Sequence, residues 1–501
     1  MVVVGVQSGT TAGAANREAG ASALSLSVAE RAGAMQDAQN AAPATARQIG
    51  LGAKEALVVR DVIKDADGTV HTRYERTYDG LPVLGGDLVV HAKKDGGLKG
   101  VSRASDARIA VATSGVSLKA APTNARKVVW AAGSKPVLAY EAIIRGTQPD
   151  GTPSERHVIT DAATGARLYA YEAIDTGTGT SEYSGKVTLG TTKSGSTYSL
   201  TDAGRGGHKT YDLKGGSSGT GTLFTKSVDT WGDGTPGNRE TAGVDAHYGA
   251  AVTWDFYKTE LNRNGIAGNG KAAYSRVHYG NAYVNAFWDD GCFCMTYGDG
   301  AGNRKPLTAL DVAGHEMSHG LTAATAKLNY SRESGGLNEG TSDIFGTSVE
   351  FFANNPSDPG DYLIGEKIDI NGNGTPLRYM DKPSKDGQSA DYWSSSVGNK
   401  DVHYSSGVAN HFFYLLSEGS GAKVINGVSY NSPTYDGSKL TGIGRTKAYK
   451  IWYKALSTYM TSTTNYAKAR TTTLQAASDL YGAGSAEYKA VAATWTAVNV
   501  K

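Results

Sequence analysis

Leu310-Asp311-Val312-Ala313-Gly314-His315-Glu316-Met317-Ser318-His319, followed twenty residues later by Asn338-Glu339-Gly340-Thr341-Ser342-Asp343, decides the fold. Histidines at i and i+4 of a helix share one face, so both rings reach one metal ion, and Glu316 between them can act on a water held there. Chance produces such a pattern in roughly one chain in a hundred of this length and histidine content, so the flanks decide the matter. Pro306 suits a first helical position and predicts a metal helix from there to about 324, with Asp311, His315 and His319 on one stripe. A second helix, predicted to start at the cap residue Asn338, carries Glu339, Asp343 and Glu350. At about 100 degrees per residue Glu350 falls within about 20 degrees of the line through Glu339. If the helices are antiparallel, Glu339 meets the two histidines while Glu350 meets Asp311 at the far end, about 12–16 Å away.

His315, His319 and Glu339 supply two nitrogens and one oxygen and leave a fourth tetrahedral position for water, the pattern of a catalytic zinc site. Asp343, one turn past Glu339, can accept the free ring N–H of a ligand histidine. Asp311 and Glu350, joined by Asp361 and Glu366, form an all-oxygen set suited to calcium. Singly, each residue reads more simply as a surface histidine, a solvated acid or a first-turn acid complementing the helix dipole. The whole row on compatible faces argues for the metal reading.

A chain of 501 residues with net charge +2 and interspersed signs calls for several domains and offers no electrostatic signature for nucleic acid or an anionic membrane. No apolar run approaches the roughly 20 residues needed to span a bilayer. Met1-Val2-Val3-Val4-Gly5-Val6 does not read as an intact signal peptide, so either a signal has been removed or shortened or the protein stays inside. Cys292 and Cys294 are the only cysteines, which excludes a cysteine zinc site and leaves a local disulfide and two free thiols equally open.

Residues 1–49 are rich in Ala, Gly, Ser and Gln and read as a flexible leader with at most a marginal helix. Residues 50–172 alternate in period two around turns at Asp79-Gly80, Asp150-Gly151 and Thr164-Gly165, predicting small antiparallel sheets. Asp175-Thr176-Gly177-Thr178-Gly179-Thr180-Ser181 reads as a linker between domains. Short strands follow over about 182–240, then helical spacing from near Gly243 and at Val408–Ser417, Thr446–Thr458, Tyr466–Leu480 and Ser485–Val498. The fold class is α+β, with a two-lobed catalytic unit after the small sheets.

Residues 182–501 resemble the thermolysin-like zinc metalloproteases, the M4 peptidase family, and in particular its secreted Gram-positive members. Besides the His-Glu-x-x-His core, the resemblance rests on Asn285-Ala286-Phe287-Trp288, Tyr297-Gly298-Asp299-Gly300, Glu333-Ser334-Gly335-Gly336-Leu337-Asn338-Glu339, Ser342-Asp343-Ile344-Phe345-Gly346 and Val402-His403-Tyr404-Ser405-Ser406-Gly407. Upstream, 50–105 resembles an FTP-type propeptide domain and 106–174 a PepSY-type one, ahead of a catalytic N-lobe over 182–325 with the active-site helix and a helical C-lobe over 326–501. The resemblance implies a zymogen with its boundary near 173–182, Glu316 as general base, His403 and Tyr330 as oxyanion donors, and Arg378 on the primed-side carbonyl. It implies that Asn285 and the Ala286 backbone hold an extended peptide, and that Val312 and Leu377 line an apolar S1′ pocket preferring bulky apolar residues. Family acids are replaced by Leu363 and Lys367, so one calcium is expected on Asp311, Glu350, Asp361 and Glu366, with the Leu363 carbonyl beside them. The acid that orients the His403 equivalent is replaced by Gly398, leaving its partner open between Asp401 and another group. Asp369-Ile370-Asn371-Gly372-Asn373-Gly374 reads equally as a calcium turn or a plain Asx/Gly turn.

The expected protein is a secreted, extracellular zinc-dependent neutral endopeptidase in which a zinc-bound water attacks the peptide carbonyl. Its partners are protein or peptide substrates and its own propeptide as intramolecular inhibitor and chaperone, with no nucleic acid and no membrane; a monomer is expected. One rival is a catalytically silent peptide- or cell-wall-binding metalloprotein, and another has the first 172 residues acting as an inhibitor in trans.

Overall fold

Asp79 and Gly80 both take positive φ, 52° and 79°, and pair Tyr78 with Leu81 across a two-residue turn of the kind Asp-Gly favours. That hairpin lies in the first of two compact units, residues 1–146 with 154–173; the second unit is 174–501 with 147–153. The computed structural model describes residues 26, 28–115, 118–133, 135–147, 153–172 and 175–501. The Asp150-Gly151 turn and the leader up to Ser25 lie outside them.

In the first unit, α1 (Val28–Gln48) is followed by β1 (Glu55–Lys64), β2 (Val70–Tyr78), β3 (Leu81–Ala92), β4 (Leu98–Arg103), β5 (Ala125–Trp130), β6 (Val137–Thr147), β7 (Pro153–Asp161) and β8 (Arg167–Glu172). The strands form one eight-stranded sheet, order β1-β2-β3-β5-β6-β7-β8 with β4 paired to β3. The separate FTP-like and PepSY-like sheets therefore join. Val83 and Leu84 of β3 run parallel to Val129 and Trp130 of β5, so the two halves share a ladder. Over 28–48 the predicted flexible leader is instead a helix packed on the sheet. Ala42, Ala46 and Ile49 bury against Leu57, Val59, Val62 and Leu88. The Gln39 amide donates to the Leu57 carbonyl at 3.2 Å and accepts from Val59 N–H at 2.8 Å, satisfying the edge of β1. Alanines that let a helix approach a sheet closely look, as composition, like a structureless segment.

In the second unit, the Gly/Thr stretch read as a linker is the strand Asp175–Thr180, hydrogen-bonded to Lys186–Ser194 on one side and Thr230–Trp231 on the other. Its glycines answer to space. A Cβ on Gly179 would lie 2.6 Å from Val244 and 2.9 Å from Leu189, and one on Gly177 would strike Asp229. A second, six-stranded sheet ends in the edge strand Ala286–Asp289, which pairs antiparallel with Cys294–Tyr297.

The helices are α2 (Arg239–Glu260), α3 (Leu310–Ala323), α4 (Arg332–Ala353), α5 (Val402–Ser405), α6 (Gly407–Glu418), α7 (Arg445–Thr458), α8 (Tyr466–Tyr481) and α9 (Ala486–Ala497). α2 starts with the Asn238 side chain accepting Glu240 N–H at 3.0 Å. The expected metal helix begins four residues after Pro306, because Leu307 N–H bonds the Gly298 carbonyl at 3.0 Å and holds the approach extended. The partner helix begins at Arg332, six residues before Asn338, so Asn338 is interior and no cap. Gly335 and Gly336 disguise that first turn. Side chains there would run into Val402 and Ser405 of α5, so glycine marks close helix packing and no loop. One hydrophobic cluster runs from Leu189 and Trp231 through Phe256, Met317 and Phe345 to Trp452 and Trp495.

Candidate active site

α3 and α4 pack antiparallel at a distance only glycine permits. A Cβ on Gly314 would stand 3.0 Å from Gly346 Cα, and one on Gly346 would overlap the Asp311 carbonyl. This close approach sets Glu339 beside His315 and His319. The three ligand groups lie 3.0 Å apart (His315 Nε2 to His319 Nε2), 3.4 Å (His315 Nε2 to Glu339 Oε2) and 3.5 Å (His319 Nε2 to Glu339 Oε1). A tetrahedral ion with bonds of about 2.0–2.1 Å spaces its ligands by about 3.3 Å, so the triangle fits zinc.

Proton bookkeeping supports the same fit. Asp343 Oδ1 accepts His315 Nδ1–H at 2.8 Å. The Asn338 amide donates its N–H to the Leu328 carbonyl at 2.9 Å, so its oxygen faces His319 Nδ1 at 2.8 Å and accepts that ring's N–H. Both neutral rings then aim Nε2 lone pairs at each other, and the buried Glu339 Oε2 has no hydrogen-bond partner. A metal ion between them, or in its absence a shared proton, reconciles these groups. Burial pushes the His315 imidazole down, but the Asp343 and Glu339 carboxylates outweigh it and raise the ring to about 10. Although burial alone would raise it, Glu339 is held well below the usual carboxylate range by the two histidines. Asp343 also accepts Arg378 Nε at 2.8 Å, Arg378 Nη2 at 2.6 Å and Asn410 Nδ2 at 2.8 Å.

Glu316 is buried, and that burial, with Glu339 nearby, raises its carboxyl above the ordinary range. It opens on a cleft of about 970 Å³ whose walls include Asn285, Ala286, Val312, Tyr330, Leu377, Arg378 and His403. His403 Nδ1 lies 2.7 Å from Asp401 Oδ1, which also caps α5 by accepting His403 N–H at 3.0 Å. The partner left open by the sequence is therefore Asp401. His403 Nε2 stands 3.2 Å from the Tyr330 hydroxyl, which donates to Glu339 Oε1. Arg378 is buried, with two of its three nitrogens engaged by Asp343, so it braces α4 as well as facing the cleft.

At the other end of the helix pair Asp311, Glu350 and Glu366 bring carboxylate oxygens within 4.8 Å of one another. Asp361 stands beside this group, giving its N–H to Glu350 Oε2 at 2.9 Å and taking Leu363 N–H at 2.6 Å. Glu350 Oε1, Glu366 Oε2 and both Asp358 oxygens are buried without hydrogen-bond partners. Burial and mutual repulsion raise Asp358 and Asp361 to about 7 and Glu366 to about 10. Uncompensated buried carboxylates of this kind fit a hard divalent cation. Lys367 Nζ lies 3.6 Å from Asp358 Oδ1 and donates to the Ser357 carbonyl at 2.8 Å. In the Asp369 loop, Asp369 Oδ1 accepts Gly374 N–H at 2.7 Å, Asn373 Oδ1 accepts Thr375 N–H at 3.1 Å in an Asx turn, and Lys305 Nζ lies 2.8 Å from Asp369 Oδ2.

Sequence reasoning missed two contributors. Asn338 reads as a cap, and only the true start of α4 exposes it as the group orienting His319. Asp358 sits between Pro356 and Pro359 and reads as a turn acid. The Cys292–Cys294 alternatives resolve to a disulfide.

The family model described as the thermolysin metallopeptidase catalytic domain matches residues 176–323, and the one for its α-helical domain matches 326–500. The fungalysin/thermolysin propeptide motif matches 55–105. The transglutaminase-activating metalloprotease of Streptomyces mobaraensis is 60% identical, the alignment covering 96% of this chain and 66% of that protein. Bacillolysin of Bacillus cereus is 35% identical over 89% of this chain and 86% of its own length. Thermolysin of Alicyclobacillus acidocaldarius is 36% identical over 90% and 87%. The chain thus spans just under two thirds of the first relative and most of the other two.

Proposed function

The chain belongs to the thermolysin metallopeptidase family, and on that premise we propose that it is a secreted zinc endopeptidase made as a zymogen. The observation that carries the reading is the convergence of two Nε2 lone pairs and the partnerless Glu339 oxygen beside the buried Glu316. His315, His319 and Glu339 would hold zinc, which when bound supplies a Lewis acid for the substrate carbonyl and for water.

The protein's own groups do the rest. Glu316, its carboxylate made more basic by burial, takes the proton from the attacking water and returns it to the leaving amine. With Nδ1–H committed to Asp401, His403 donates from Nε2 only as the doubly protonated ring, and Asp401 supplies the counter-charge. His403 and the Tyr330 hydroxyl then meet the carbonyl oxygen as it gains negative charge. Asn285 and the backbone of Ala286 hold the peptide extended along the open edge of Ala286–Asp289. Val312 and Leu377 receive a bulky apolar side chain after the scissile bond, and Arg378 faces the carbonyl on that side. Asp311, Glu350 and Glu366, with Asp361 alongside, would hold calcium for stability. The propeptide motif supports a precursor in which residues before 175 act as intramolecular inhibitor and chaperone. A protein precursor of the transglutaminase kind, named for the 60% identical relative, is the first natural substrate to test.

Glu316→Gln, assayed on a peptide substrate with metal content measured, should lose about 10²–10⁴-fold in kcat while retaining zinc. Undiminished proteolysis by the zinc-loaded variant would sink the reading.

A further inference from the structure

Two flanks of the cleft differ in build. Along α3, Val312 and Gly320 are about 12 Å apart, with His315 and His319 between them. Val312 and Leu377 line one flank; Trp288 and Phe293 line the other. There the indole of Trp288 lies directly on α3, since a Cβ on Gly320 would be 2.6 Å from Trp288 Cζ2. Its N–H is fixed by Asp290 Oδ1 at 2.6 Å, and its ring meets Phe293 edge-to-face with centroids 5.1 Å apart.

Phe293 is held with unusual firmness for a loop residue. Its φ is +53°, a region that side-chain-bearing residues visit rarely, and the Cys292–Cys294 disulfide brackets it. Cys294 is fully buried and pairs with Asp289, so the cross-linked tip is rooted in the sheet. An aromatic ring fixed in this way belongs to a wall, not to a mobile flap.

We propose that Phe293, pinned by the Cys292–Cys294 disulfide, is a specificity-determining residue that with Trp288 receives an aromatic or bulky apolar substrate side chain two residues before the scissile bond. The inference rests on the peptidase reading of the cleft. Trp288 stands two residues along the edge strand from Ala286, about 6.6 Å at ~3.3 Å per residue. A peptide lying on that edge with the residue after its scissile bond beside Ala286 therefore presents to Trp288 and Phe293 the side chain two positions back, on the flank away from the Val312–Leu377 pocket.

The test uses active enzyme recovered from expression of the full chain. Two peptides share leucine after the scissile bond and differ only in phenylalanine or glycine two residues before it. The native enzyme should favour the phenylalanine peptide by about 10-fold or more in kcat/KM. Phe293→Ala should bring that ratio to within about threefold of unity while the glycine peptide and the preference after the scissile bond stay near native, the discrimination expected when one apolar wall is lost. The double variant C292A/C294A should lower the ratio in the same direction. A native ratio in Phe293→Ala overturns the subsite, and a native ratio in the double variant overturns the pinning. If Phe293→Ala fails to fold, Phe293→Leu carries the same reading. Failure of the native enzyme to cut either peptide would instead strike the peptidase reading itself.

Discussion

The two ends of the α3–α4 helix pair are built from the same spacing and differ in how their charges are treated. At the histidine end the buried Asp343 is surrounded by donors: it accepts from Arg378 twice, from His315 and from Asn410. At the acid end Asp358, Asp361 and Glu366 are raised by burial and by one another, and Lys367 is the cation closest to Asp358. A site poised for chemistry needs ligands fixed before the ion arrives. A site that adds stability can leave its ligands strained until the ion binds, so that binding energy becomes folding energy.

The largest expected effect lies at the histidine end. Asp343→Asn removes the carboxylate that four donors share, and zinc affinity should fall about 10–100-fold, read by titration against a chelator. Glu350→Gln at the acid end should leave zinc content unchanged and erase the calcium dependence of Tm. Equal zinc loss in both variants would show that the two ends are not separable.

Next in size is a pH effect confined to the acid end. Asp358, Asp361 and Glu366 have folded values above the ordinary carboxylate value near 4. The stability tied to their neutral forms is complete below about pH 4 and is lost as pH rises through about 7 and towards 10. Calcium-free protein should therefore drop in Tm by on the order of 5 °C between pH 5 and 8, whereas calcium-loaded protein should change less. A calcium-free Tm that rises over this interval would contradict the assignment.

The smallest effect belongs to Lys367→Gln, whose pair with Asp358 is partly exposed. It should cost roughly 1 kcal/mol or less in calcium-free protein, and thermal melts at saturating calcium should narrow the difference.

Much of this pair was legible from spacing, because residues four and eleven apart on a helix must share a face whatever surrounds them. The proposed ligands His315, His319, Glu339, Asp311 and Glu350 fall in that class. What escaped depends on what fills space around the helices. Asn338 reads as a cap until α4 is seen to start at Arg332, and Asp358 reads as a turn acid until burial is known. The Ala-rich stretch before Gln48 and the Gly/Thr stretch after Asp175 were misread for a single reason. Small residues signal flexibility in isolation and tight packing in context, and composition does not distinguish them.

The strand Asp175–Thr180 also bears on how a mature chain would begin. It is hydrogen-bonded on both sides inside a sheet, with Gly177 and Gly179 seated against neighbours too close for any side chain. A cut upstream of Asp175 leaves a new amino terminus that is already woven in. Exopeptidases nibbling from that cut would meet backbone they cannot lift, so differently processed molecules would converge on nearly one end.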